Sequence, residues 1–250
     1  MKMKVAALSA ALGLGSAAQA AQVTVMSGGA VKSAFTAATA EWEKRTGHKV
    51  DAVFAPAGEL RKKVAAGEVR DIIVIPVENL PELEKSGAID VATRRDLGAV
   101  AMGAAVRAGA AVPDISTPEA LKRTLSEAKS LTYMDPTRGT SGKHFDEVVL
   151  PKLGMRDAVR AKATLGEGGF IAEKVARGEV EIAFHQMTEM LPVKGVTIVG
   201  PLPQELQKTT VYAGVIMKNA KNPKEAQALL EYLVSPEGRK AFLDRGFTAP

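Results

Sequence analysis

Residues 71–76 read DIIVIP, an almost unbroken apolar run rich in β-branched side chains. A strand of that composition is buried on both faces, which happens when helices cover each side of a mainly parallel sheet. This short segment therefore points to a layered α/β architecture. The text around it agrees. Residues 23–26 (VTVM) predict a first strand and residues 27–29 (SGG) a turn. Val31, Phe35, Ala38 and Trp42 then recur at helical spacing until Gly47 stops the helix. A second strand over 50–54 is interrupted by Ala55, Pro56, Ala57 and Gly58, and a helix led by Leu60 and Val64 follows. Residues 117–119 (TPE) offer a cap, a proline at the first helical position and an acid in the first turn. Further strands are expected over 131–134, 182–184 and 211–219. Two consecutive helices are expected over 223–247, the second opening at Ser235 and Pro236.

The first twenty residues, MKMKVAALSAALGLGSAAQA, carry two lysines, a short apolar stretch and the small-x-small string Ala18-Gln19-Ala20. That pattern reads as a secretory signal peptide, residues 1–20, cut after Ala20 and leaving a periplasmic protein. Without Lys2 and Lys4, the 33 basic residues become 31 against 28 acidic ones, a net charge of about +3. With aromatics at 4% and no basic stripe, a nucleic-acid platform is excluded. The chain has no cysteine, so it has no disulfide, thiolate metal site or thiol nucleophile, and no cysteine for a lipid anchor.

Residues 135–145 read DPTRGTSGKHF, an arginine and a Gly-Thr-Ser-Gly string placed between a strand and a helix. Glycines allow a tight turn, and the free N–H groups and dipole at a helix start favour negative charge. Together with the turns after the first two strands, three helix starts lie where open α/β sheets bind ligands, beyond the carboxyl ends of the strands. A small anion is the expected ligand.

VTVMSGGAVKSAF, VFAPAGELRKKV, GEVRDIIVIP, SGAIDVATRRDL, DPTRGTSGKHF and KAFLDRGF, in this order and spacing, resemble the molybdate-binding-protein-like branch of periplasmic solute-binding proteins that serve ABC importers. The resemblance implies a two-lobed type II periplasmic binding protein fold, α/β, each lobe a central mainly parallel sheet flanked by helices, joined by two crossing strands. Lobe one would comprise 21–107 plus 210–250 and lobe two 108–209, with crossings near 100–107 and 210–217. It also implies a monomer that takes a small anionic ligand in the cleft and hands it to a membrane permease. The positions matching the serine ligands of molybdate binders are Ala30 and Ala57, and the position matching their ligand tyrosine is Gln186. Losing two hydroxyl donors disfavours molybdate, and an arginine fork at Arg138 suits carboxylate or phosphate. The expected ligand set is Gly28, Gly29, Ala30, Ala57, Gly58, Arg138, Thr140, Ser141, Gly168 and Gln186.

Each feature has a plainer reading: the Gly-Thr-Ser-Gly string as a capped helix start, Arg138 and Lys32 as solvated cations, His48 as a loop residue. No metal and no cofactor are expected, for no helical His pair exists, Gly28-Gly29 lacks a third glycine, and Ser141 has no nucleophile elbow. The first functional reading is a receptor without catalytic residues, selective for an organic carboxylate or phosphorylated acid. The alternative is a periplasmic isomerase on the same fold, similar to aconitate isomerase, which moves a double bond in a tricarboxylic acid. Its acid and base would come from His144, His185, Glu59 and Glu189.

Overall fold

The computed structural model describes residues 20–250. The expected signal peptide lies outside the described residues, apart from Ala20. Ten strands form two five-stranded sheets. They are β1 (Gln22–Ser27), β2 (Lys49–Phe54), β3 (Ile72–Pro76), β4 (Ile89–Val100), β5 (Met102–Arg107), β6 (Leu131–Met134), β7 (Ala163–Gly166), β8 (Ile182–Gln186), β9 (Val196–Pro201) and β10 (Thr210–Met217).

The first sheet has the order β2-β1-β3-β10-β4 and the second β7-β6-β8-β5-β9. In the first, β10 runs antiparallel to both neighbours, so the other four strands point one way. In the second, β5 plays the same part. The two lobes thus repeat one plan, mainly parallel with a single reversed strand.

All five residues of β3 are buried, as the DIIVIP run requires. Ile72 and Val74 pack on one face with Phe35, Trp42 and Leu230, and Ile73 and Ile75 on the other with Leu60 and Leu80. A strand that alternates between two cores has no polar face to offer water. The second lobe is built likewise, with Tyr133, Phe145 and Phe184 on one face and Ala105, Ala183 and Met190 on the other. Helix Lys32–Thr46 ends at Gly47 with φ 77°, and the Thr117 hydroxyl caps helix Pro118–Glu127 by accepting the Ala120 N–H at 3.1 Å.

One boundary moves. The chain leaves the first sheet at Val100, and β5 lies wholly in the second, paired antiparallel with β8 and β9. The first change of sheet therefore falls at Ala101, not at Arg107. The return falls between β9 and β10, and Thr210 is already paired with Val100. The apolar text of β10 marks it as a strand, and the resemblance places a crossing near 100–107, but which sheet each strand completes depends on pairing with strands far away in the chain.

Candidate functional site

Strand ends from both lobes meet around one cavity of about 300 Å³. The turn after β1 brings Gly28, Gly29 and Lys32; the turn after β2 brings Phe54, Pro56 and Ala57. The second lobe supplies Thr140 and Ser141 after β6, His185, Gln186 and Glu189 from β8 and the helix Met187–Met190, and Phe170 and Glu173 from the loop and helix after β7. Tyr212 of β10 closes the floor. This is the switch-point position for ligands in open α/β sheets.

Ser141, His185, Gln186 and Glu189 are each at most 6% exposed, so their polar atoms are cut off from bulk water. Ser141 Oγ lies 3.0 Å from His185 Nδ1. A Glu189 carboxylate oxygen lies 3.1 Å from His185 Nε2, but off the direction of an N–H bond, so Nε2 has no hydrogen-bond partner. Gln186 accepts the Tyr212 hydroxyl at 2.8 Å, which leaves its Nε2 donor free. Thr188 Oγ1 is also buried without a partner. Buried polar groups are ordinarily paired, so this cluster is prepared for something else. Burial, and after it the Glu189 charge, pushes the Tyr212 phenol well above its ordinary pKa, so it stays a donor.

The local sequence explains these placements. Gly142 sits so close to the Met134 carbonyl that no side chain fits, which lets the Thr140–His144 helix start turn directly off β6. Glu189 lies against Gly29, where a Cβ would come within 2.5 Å of its Oε1. The first helix start, expected to receive the ligand's charge, thus faces a carboxylate of the protein itself.

Of the residues expected at the site, Gly28, Gly29, Ala57, Thr140, Ser141 and Gln186 line the cavity, as do His185 and Glu189 from the alternative set. Ala30 is buried in the first core instead, because it belongs to the turn Gly29–Val31 that packs onto the sheet. Gly58 and Arg138 line an adjoining cleft, where the Arg138 guanidinium approaches Glu59 at 3.4 Å. His144 is in that cleft too, held by the Leu206 carbonyl at 2.8 Å, and burial lowers its pKa first, with Lys208 and Lys152 adding to the effect. Gly168 stands next to the lining residue Gly169 and packs against Pro56 across the lobes. His48 stacks on Trp42 and accepts the Ala21 N–H, a purely local role.

Tyr212, Phe54, Phe170 and Glu173 are lining residues that sequence reasoning missed. Only the position of Tyr212 in an expected crossing strand hinted at it. Among the described residues, no group of three or more His, Cys, Asp or Glu is placed to hold a metal, and no helix is long and apolar enough to cross a membrane.

The chain is 34% identical over 229 residues to the aconitate isomerase of Pseudomonas sp, covering 90% of this chain and 86% of that one. It is 29% identical over 262 aligned residues to the molybdate-binding protein ModA of Azotobacter vinelandii, covering 99% of each. The solved Azotobacter vinelandii periplasmic molybdate-binding protein superposes with a TM-score of 0.77 at 17% identity, over 91% of this chain and 99% of that one. PEB3 with bound L-phospholactate does so at 0.70 and 14%, over 91% and 100%. These two structures speak for the fold alone, the type II periplasmic binding protein fold. The pattern of the bacterial extracellular solute-binding proteins matches residues 23–248, and with the two lobes and the cavity between them this chain belongs to that family.

Proposed function

We propose that the chain is a periplasmic isomerase that binds a small unsaturated polycarboxylic acid, aconitate above all, between its lobes and shifts the double bond by moving one proton. One observation carries the reading: His185 lines the cavity, and its Nε2 is buried without a hydrogen-bond partner beside the buried Glu189 carboxylate. A receptor for an anion gains nothing from a carboxylate in its wall, since like charges at close range repel. A proton-transfer site needs such a group. The 34% identity to an aconitate isomerase along 90% of the chain supports the same choice.

The chemistry balances within the substrate. A base takes a proton from the methylene carbon, and the electron pair spreads through the double bond toward a carboxylate. A proton returned to the former vinyl carbon leaves the double bond one position along, with no atom gained or lost. The His185 ring suits both halves, because with Nδ1–H donating to Ser141 Oγ its Nε2 takes the proton, holds it as imidazolium and gives it back to the other carbon. The Glu189 carboxylate, 3.1 Å away, stabilises the imidazolium by its charge. The free amide donor of Gln186, aimed by Tyr212, stabilises the charge that develops on the substrate carboxylate.

A second reading, a receptor that delivers the acid to an ABC importer, is favoured by the family match over residues 23–248. Proton NMR of the purified mature protein with trans-aconitate in D₂O separates the two. Appearance of the cis isomer, with deuterium entering the carbons that exchange protons, is expected. Tight binding with trans-aconitate unchanged after long incubation refutes the isomerase and leaves the receptor. Failure to bind either aconitate, or tricarballylate, refutes both as a reading of this ligand class.

A further inference from the structure

We infer that Lys32 is the charge anchor of this cavity, pairing with one carboxylate of the ligand while the Gln186 side of the cavity holds another. The inference rests on the polycarboxylate reading above and assigns the end of the site that reads charge.

The cavity wall carries three charged side chains: Glu173, Glu189 and Lys32. Two carboxylates oppose an acidic ligand, and Lys32 is the cation on the lining that offsets them. Arg138, the cation that the sequence put forward, lies in the neighbouring cleft beside Glu59. Among the described residues Lys32 makes no ion pair. Its ammonium instead lies 5.8 Å from the centroid of Phe54 and 5.5 Å from that of Phe170. Both distances fall within cation–π reach.

Those two rings come from different lobes. Phe54 ends β2, and Phe170 sits in the loop after β7, beside Gly168 and Gly169, with Gly168 against Pro56. The ammonium is therefore positioned by both lobes at once, and it holds its place only when they are together. Local physics gives no reason for a cation here. Lys32 is the first residue of helix Lys32–Thr46, where a positive charge opposes the helix dipole. A residue that breaks a local preference and is repaid only by two cation–π contacts points to a function. An anion arriving at Lys32 meets the ammonium that offsets the Glu173 and Glu189 carboxylates of the same wall. Ligands with a carboxylate at each end gain from this arrangement, and monocarboxylates gain from only half of it.

Isothermal titration calorimetry with tricarballylate, a saturated tricarboxylate that has no double bond to shift, tests the assignment apart from catalysis. Lys32→Gln is expected to weaken binding about tenfold or more and to flatten its dependence on salt, while Lys32→Arg restores most of the affinity. Arg138→Gln, outside the cavity, is expected to stay within about threefold of the unaltered protein. Lys32 is exposed, so both variants at that position should fold, with unchanged far-ultraviolet circular dichroism. Binding by Lys32→Gln equal to that of the unaltered protein overturns the inference and leaves the functional reading intact. So does a larger loss in Arg138→Gln than in Lys32→Gln. If the unaltered protein binds no tricarboxylate at all, the functional reading falls and this inference falls with it.

Discussion

The Gly58 N–H donates to the Arg138 carbonyl at 2.9 Å, tying the helix that follows β2 in the first lobe to the turn that follows β6 in the second. A Cβ at position 58 would stand 3.0 Å from both the Arg138 and Thr137 carbonyl oxygens. Gly58→Ala should therefore hold the lobes slightly apart. A tricarballylate affinity lower by about tenfold, or about 1.4 kcal/mol, with an unchanged melting temperature of the ligand-free protein, is the expected calorimetric result. Unchanged affinity would show that closure does not pass through this contact.

His185→Asn removes the buried, unpartnered ring nitrogen while leaving an amide to meet Ser141. Turnover of trans-aconitate should fall by about 10² to 10⁴, the usual contribution of a general acid–base group, and tricarballylate should still bind. A variant that turns over at the original rate would clear His185 of any part in proton transfer.

Tyr212→Phe deletes the hydroxyl that aims Gln186 and leaves the buried Gln186 Oε1 without its donor. Urea unfolding should report a loss of roughly 1–3 kcal/mol. The freed amide should also lower kcat for the isomerisation, and Gln186→Leu added to Tyr212→Phe should cost less stability than Tyr212→Phe alone, because no orphaned carbonyl then remains.

Asp146 is fully buried and receives hydrogen bonds from Arg156, Arg160 and Tyr133. Burial works against its charge, but the two guanidinium groups and the phenol outweigh it, and its pKa falls from the ordinary 3.8 to about 2. A depressed carboxyl pKa contributes stability that is whole above the unfolded value and is lost as pH falls through the folded one. The unaltered protein should thus lose stability between about pH 4 and pH 2. Asp146→Asn should start roughly 1–3 kcal/mol lower at neutral pH and show a flatter acid limb in denaturant titrations. An identical acid limb in both would remove Asp146 from the balance.

Tyr133, Asp146 and the two arginines also tie together the elements on either side of the Thr140 and Ser141 turn. The same burial raises the Tyr133 phenol to about 12, with the Asp146 charge adding to it, so the donor is not lost at any ordinary pH. This network spans β6 and the π-helical turn Phe145–Val149, directly behind the Thr140 and Ser141 turn.

By itself the sequence determined the alternation of strands and helices, the double burial of DIIVIP, the stops at Gly47 and the cap at Thr117. It also determined that the turns after β1, β2 and β6 carry residues of the cavity, because these are signals of spacing and backbone preference carried by residues close together in the chain. Only the tertiary structure decided which side chains face the cavity. Glu189 reaches Gly29, Tyr212 reaches Gln186, and Lys32 lies over Phe170, across separations in the chain that no local pattern records. Arg138 and Lys32 are both cations beside glycine-bearing turns, and their sequences do not say which one lines the cavity between the lobes. That choice depends on side-chain direction and on contacts between the lobes, which exist only once both sheets have formed.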